Sequence, residues 1–386
     1  MLVACLRVLT VISTLVCLGS IAYCCMCIWL GFRFAAESST AAASDAAHPP
    51  VSILKPIKGA DPEMYDALRS HCRLDYPDYE ILFGITDTGD AAVPLIERLM
   101  QEFPRRAIRM VRCDQRLGAN GKVSGLAQLA KSAASEFLVV SDSDIQVASD
   151  YLRRVINELQ QPAVGLVTCL YRGIPGRTLS SKFEALGIST DFVPGVLAAR
   201  FIERGLHFGL GSTLAFRKRD LDWIGGFEAI VDYLGDDYEL GRRIAERGLG
   251  VELSGCIVET HLPAYDFAGF LSHQLRWART IRASRPLGYA GLLFTFTLPW
   301  AAAAVLAAWG AAWAWWLFAG AIVARCVMAF VTVRLVLDDT RTIRSLWLVP
   351  ARDFLAVVIW FGGLFGRKIK WRGESFTLEK GKLKPC

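Results

Sequence analysis

Two aspartates one residue apart, Asp142 and Asp144, follow directly on the β-branched run Phe137 to Ser141. Hard cations such as Mg2+ or Mn2+ take oxygen ligands and keep positions open for diphosphate oxygens, so this pair is suited to neutralise a phosphorylated leaving group. Surface turns also use aspartates in this way; the place after a buried strand favours the metal reading. Asp87, with Asp90 near it, ends the run Tyr79 to Thr86 and is either a structural turn or an acceptor for a nucleotide base or ribose. Asn120-Gly121-Lys122 opens a helical pattern, where free N–H groups and a lysine meet phosphate or sugar oxygens. Asp236-Asp237-Tyr238-Glu239 opens another, running through Arg247. Acids in a first turn favour the helix dipole, and a carboxylate beside a metal-diphosphate site also accepts a proton from an attacking hydroxyl.

The elements that must position these residues alternate. Strand-like runs occur at Val51 to Leu54, Tyr79 to Thr86, Ile108 to Cys113, Phe137 to Ser141, Val164 to Leu170 and Gly250 to Val258. Between them, Pro62 to Cys72, Ala92 to Phe103, Val123 to Ser132 and Asp150 to Gln160 carry apolar residues at helical spacing. This pattern predicts an α/β domain with a mostly parallel sheet covered on both faces, its ligands beyond the strand carboxyl ends. No G-x-G-x-x-G or G-x-x-x-x-G-K-[ST] is present, which disfavours a dinucleotide enzyme or a P-loop ATPase.

The chain has 386 residues, 53% of them hydrophobic, and a mean hydropathy of +0.34, too apolar for an ordinary soluble enzyme. The excess lies at the ends. Val8 to Leu30 is long enough to span a bilayer at about 20 residues per crossing; a cleavable signal has a shorter core, so the reading is an uncleaved anchor over residues 1–34 and a linker over 35–50. The catalytic domain is expected over 51–265 and an interfacial helix over 266–286. The latter contains His273-Gln274-Leu275-Arg276-Trp277, then Arg279, Arg282 and Arg285. Membrane segments are expected over 287–366: a hairpin of Leu287 to Trp309 and Trp313 to Leu337, then a stretch interrupted by Pro350, Arg352 and Asp353 that reads as re-entrant or interfacial. Residues 367–386 form a basic tail with Arg367, Lys368, Lys370, Arg372, Lys380, Lys382 and Lys384, expected on the cytoplasmic side. These membrane-flanking cations account for the net charge of +6 and leave no nucleic-acid footprint. The cysteines have neither metal-ligand nor disulfide-framework spacing, as suits a reducing compartment.

Taken in order, VSILKPIKGAD, LDYPDYEILFGITD, GANGKVSGL, SDSD, GDDYELG, HQLRW and KWRGESFTL resemble the ceramide glucosyltransferase family. The resemblance runs from about Val51 to the tail and extends to the related bacterial hopanoid-associated glycosyltransferases. It implies a GT-A (Rossmann-like) domain facing the cytoplasm, in a bacterial inner-membrane protein with an N-terminal transmembrane helix and a C-terminal membrane helical region. It also implies roles: Asp87 contacts the nucleotide, Asp142 with Asp144 holds Mg2+ or Mn2+, and Asp237 is the general base, with Asp236 beside it on the acceptor or leaving-group side. Arg276 lies by the diphosphate, Trp277 by the acceptor, and Lys122 is a further donor-side cation. His273 departs from the family's (Q/R)xxRW pattern, which places Gln or Arg there, and puts the contact from that position in doubt. His261 is a further metal candidate, because some GT-A enzymes complete the shell with a late histidine; a satisfied domain histidine is the alternative.

The implied activity is inverting transfer of one hexose from a UDP-sugar to the hydroxyl of a membrane lipid. Glucose with ceramide and N-acetylglucosamine with a hopanoid polyol are the two pairings. A processive polysaccharide synthase shares these carboxylates but needs a polymer channel, for which the C-terminal segments are few. A non-catalytic lipid-binding protein is the third reading.

Overall fold

A strand with no polar face must be buried on both sides, and β1 (Val51–Pro56) is buried at its first five residues. In the computed structural model, which describes residues 2–40, 47–61, 63–371 and 373–385, it lies inside an eight-stranded sheet with β2 (Tyr79–Ile85), β3 (Ala107–Arg112), β4 (Phe137–Val140), β5 (Ile145–Gln146), β6 (Val164–Ile174), β7 (Leu214–Arg217) and β8 (Gly250–His261). The order is β3-β2-β1-β4-β7-β6-β8-β5. The expected parallel pairing holds for β3-β2-β1-β4 and for β6 with β8. The sheet as a whole is mixed, because β7 runs antiparallel to β4 and β6, and β5 antiparallel to β8. Both reversing strands are too short, at four and two residues, to carry a periodicity signal.

The chain divides into two compact units. The α/β unit comprises Glu37–Ile174, Ala199–Pro263 and Trp371–Cys386. It includes the end of the chain, which is more than a loose basic tail: Glu374–Glu379 and Lys382–Pro385 form an antiparallel hairpin with Phe376, Leu378 and Leu383 buried. Leu383 donates its N–H to the Asp232 carbonyl at 2.7 Å. Arg372, part of the predicted basic run, lies outside the described residues.

The apolar unit comprises Met1–Ala36, Pro175–Ala198 and Ala264–Lys370. The first helix runs Leu2–Thr40, so Ala35 to Thr40, expected as linker, is helical, as its alanines favour; residues 41–46 of that linker lie outside the described residues. Small polar residues on this helix make close interhelical contacts: Ser20 Oγ donates to the Phe294 carbonyl at 2.6 Å, and Cys24 Sγ lies 3.3 Å from Thr297 Oγ1.

Among the described residues, four helices are long and apolar enough to cross a membrane. One, Leu179–Ile202, has no counterpart in the sequence reading. The first arm of the expected hairpin is bent by 56° between Pro286–Thr295 and Thr297–Ala307. The stretch expected to be interrupted is instead one apolar run, Thr342–Leu364, because Pro350 sits in the first turn of the Val349–Leu364 helix, where it costs no hydrogen bond.

Asp353 on that helix meets Arg325, two percent exposed, whose Nε lies 3.0 Å from both carboxylate oxygens. The same guanidinium reaches the Thr190 carbonyl at 2.9 Å and Asp191 Oδ1 at 2.6 Å. Removing one partner strands the others without water. Arg325→Ala is therefore expected to cost about 3–5 kcal/mol, seen as a large drop in the thermal midpoint of the detergent-solubilised chain; an unchanged midpoint contradicts this role.

Candidate functional site

Asn120 ends a loop and caps the Gly121–Ser132 helix, its Oδ1 accepting the Val123 N–H at 3.2 Å. Its Nδ2 donates to the Tyr233 carbonyl at 2.7 Å and its backbone N–H to the Val231 carbonyl at 2.8 Å. Gly118 lets the loop approach, since a Cβ there would lie 2.5 Å from Val231 Cγ1. Lys122, fixed in the first helical turn, extends its ammonium to Asp142 Oδ1 at 2.8 Å and Asp236 Oδ2 at 3.1 Å. Burial works against this charge, but the two carboxylates more than offset it and raise the lysine's pKa. The cation that sequence placed near a phosphate thus stands between two of the acids.

Asp237 is fixed from the other side. Its Oδ2 accepts the Gly211 N–H at 2.8 Å and its Oδ1 the Tyr238 N–H, also at 2.8 Å. Two glycines make this possible. A Cβ on Gly241 would lie 2.2 Å from the Gly209 nitrogen, so only glycine lets the Asp236–Glu246 helix press on the 208–211 backbone. A Cβ on Gly211 would lie 3.3 Å from both Asp142 Oδ2 and Asp237 Oδ2. The second glycine of GDDYELG therefore has a mechanical role, and Gly211 lines the gap between two acids. Burial, then the neighbouring Asp236 charge, pushes Asp237 up to about 6, with Lys122 pulling the other way. Burial likewise raises Asp236.

Asp144 has its pKa raised by burial and then by Asp142, and its Oδ2 accepts from Thr260 Oγ1 at 2.6 Å. His261 does not join the acids: its Nε2 lies 2.9 Å from Gln146 Oε1. No three His, Cys, Asp or Glu side chains converge on a metal position among the described residues. The residues fit a cation held by the Asp142 and Asp144 carboxylates plus ligand oxygens, the usual manner for Mg2+, and give no support to His261 as a third ligand.

Lys55 escaped the sequence reading. Fully buried, it donates to Ser141 Oγ at 3.0 Å and to the Asp142 carbonyl at 2.9 Å, fixing the strand end that carries the acids. Burial lowers its pKa to about 7 against the pull of Asp142 and Asp144. The available signal was a lysine inside an otherwise apolar strand.

Asp87 is exposed at the end of β2, its Oδ1 accepting the Gly89 N–H at 2.9 Å, while Asp90 accepts the Gly59 N–H. His273, Arg276 and Trp277 belong to the apolar unit, on the Phe267–Ser284 helix. His273 and Trp277 have ring centroids 5.2 Å apart. Arg279 and Arg282, further along, donate to the Phe365 and Gly366 carbonyls, which end the Val349–Leu364 helix.

A mixed α/β sheet with acids gathered beyond its strand ends is the frame of a GT-A-type glycosyltransferase. The mannosyltransferase PcManGT from Pyrobaculum calidifontis, solved in complex with GDP-Man and Mn2+, shares the fold with a TM-score of 0.56 and 19% identity, over 92% of this chain and 96% of that one. Residues 11–384 match the sequence model of glycosyl transferase family 21, and the chain belongs to that family of sugar-transferring enzymes. Similar proteins include ceramide glucosyltransferase 3 of Caenorhabditis elegans, 28% identical over 63% of this chain and 52% of that protein. Another is the β-monoglucosyldiacylglycerol synthase of Trichormus variabilis, 31% identical over 31% of this chain and 25% of that protein. The chain thus aligns with about half the length of the first of these relatives.

Gly211→Ala places a methyl between two carboxylates without touching the core. Transfer is expected to fall about a hundredfold with the thermal midpoint little changed; ordinary turnover by a folded variant contradicts the assignment of this gap as the reacting site.

Proposed function

We propose that the chain transfers one hexose, glucose or N-acetylglucosamine, from a UDP-sugar to the hydroxyl of a membrane lipid, ceramide or hopanoid, with inversion at the anomeric carbon. The observation that carries this reading is the fixed Asp237 carboxylate facing Asp142 across Gly211. Asp237 accepts the proton of the lipid hydroxyl while its oxygen forms the new bond to the anomeric carbon. The bond from that carbon to the diphosphate oxygen breaks on the opposite face, and the nucleoside diphosphate departs with its electron pair. Asp142 and Asp144 would hold a divalent cation, which would supply charge neutralisation to the departing diphosphate. Lys122 releases some of its pairing to reach the donor, Asp236 keeps Asp237 basic, and Asp87 receives the nucleotide. By motif, Arg276 serves the leaving group and His273 and Trp277 the acceptor.

The lipid part of the proposal rests on the apolar unit. The chain leaves the α/β unit at Ile174 and Pro263 and re-enters it at Ala199 and Trp371. A chain that returns to the same compact unit crosses a bilayer an even number of times in each excursion, which supports a reading in which Leu179–Ile202 does not span and two of the later segments cross. The basic residues beside the last segment favour the cytoplasmic side for the α/β unit.

Asp237→Asn is expected to lower transfer at least about a thousandfold while the UDP-sugar dissociation constant is preserved; near-normal turnover removes Asp237 as the base. Because the base works only when ionised and its pKa is raised to about 6, transfer by the wild-type chain should be lost as pH falls through about 6. A rate profile flat down to pH ~5 contradicts the raised pKa.

A further inference from the structure

The apolar unit contains buried polar atoms that the fold leaves without hydrogen-bond partners. Both carboxylate oxygens of Glu184, one percent exposed, are among them, as are Nε and Nη1 of Arg352, six percent exposed, and Nδ1 of His273. They are contiguous. His273 Nδ1 lies 2.9 Å from Glu184 Oε1 but is misaligned for a hydrogen bond. The Arg352 guanidinium lies over Gly187, one turn beyond Glu184, where a Cβ would be 2.5 Å from Nη2. That same Nη2 is 3.4 Å from Gln274 Oε1 and 3.4 Å from Asp191 Oδ2. Leaving such groups unpaired in an apolar surrounding costs far more than pairing them would. The neighbouring Arg325 shows that this unit can satisfy a buried guanidinium.

The chemistry of the unpaired atoms limits what they can hold. Glu184 offers acceptors and Arg352 offers donors, so the complementary group carries both within a few atoms. The connected set contains three acids, Glu184, Asp191 and Asp353, against the guanidiniums of Arg325 and Arg352. It therefore has no positive excess for a phosphate, which basic clusters recognise. Tyr265 stacks on His273 at 5.7 Å and Trp277 tilts against it at 5.2 Å, so aromatic rings flank this histidine. A π-helical turn at Ile188–Phe192 interrupts the helix carrying Glu184, a distortion that recurs at functional sites.

We propose that Glu184, Arg352, Gln274 and His273 form a binding recess for the uncharged head group of a membrane lipid, one that presents neighbouring hydroxyls or a hydroxyl beside an amide. All four residues belong to the apolar unit. Use of the recess as the acceptor's seat rests on the lipid-acceptor reading above, whereas the binding itself does not.

The test is a titration of the full chain in nanodiscs, read by tryptophan fluorescence, with three neutral probes: short-chain ceramide, dioctanoylglycerol and a hopanoid tetrol. Ceramide 1-phosphate and phosphatidic acid are the charged counterparts. At least one neutral probe is expected to bind, about tenfold tighter than the phosphorylated lipids. Glu184→Gln should weaken it about tenfold with the UDP-sugar affinity unchanged, a split that general destabilisation would not give. His273→Gln, at a more exposed position, carries the same expectation if Glu184→Gln does not fold. Wild-type binding by the folded variants, equal binding of phosphorylated lipids, or no binding of any neutral probe overturns the recess. Absence of sugar transfer by a chain that still binds these lipids would count against the proposed activity and leave the recess standing.

Discussion

Acids gathered in one place repel each other and lose hydration, and in the α/β unit the Lys122 ammonium offsets part of both costs. Lys122 stands 2.8 Å from Asp142 and 3.1 Å from Asp236, on a helix whose start is fixed by Asn120. Without that charge, burial would drive Asp236 further toward its protonated form. The Asn120 cap, the Gly118 approach and the 231–233 backbone all serve to place this lysine. The strand ends supply the acids, Lys55 fixes the end of β4, and Gly241 allows the helix carrying Asp236 and Asp237 to close on the 208–211 segment. The same lysine leaves Asp237 with a pKa near neutrality, the range in which a base both ionises and accepts a proton.

The apolar unit follows a different economy. Its buried Arg325 and Asp353 come from segments that hydropathy alone marks as membrane-embedded, and each is tolerable because the other is present. A paired and hydrogen-bonded guanidinium ties the helix bearing Asp353 to Thr190 and Asp191, on the segment that follows Ile174. Arg352, the next residue to Asp353, lacks that completeness. Its Nη2 reaches Gln274 and Asp191 at 3.4 Å, while Nε and Nη1 have no hydrogen-bond partner.

Much of this was legible in the sequence. The strands β1, β2, β4, β6 and β8, and the acids that follow β2 and β4, were visible because burial on both faces leaves apolar runs bounded by turns; β4, though no longer than β7, is apolar throughout. The short strands β5 and β7 were not, and the sheet's mixed character went unseen with them. Leu179–Ile202 was missed because Ser, Thr, Glu and Asp dilute its apolar character. The interruption read at Pro350, Arg352 and Asp353 disappeared because partners distant in sequence satisfy Asp353 and a first helical turn accommodates proline. Lys122 was singled out, but its bridge to Asp142 and Asp236 is a three-element contact that no local pattern reports. His261 had the right residue type in the right place, and Gln146 took it.

The central claim is that a fixed carboxylate directs one displacement at the anomeric carbon and no more. It is tested most directly by incubating the purified chain with a UDP-α-hexose and a neutral membrane lipid, then determining product anomeric configuration by NMR and chain length by mass spectrometry. The account predicts a β-linked lipid carrying a single sugar. An α-linked product, or a ladder of products with several sugars, contradicts it.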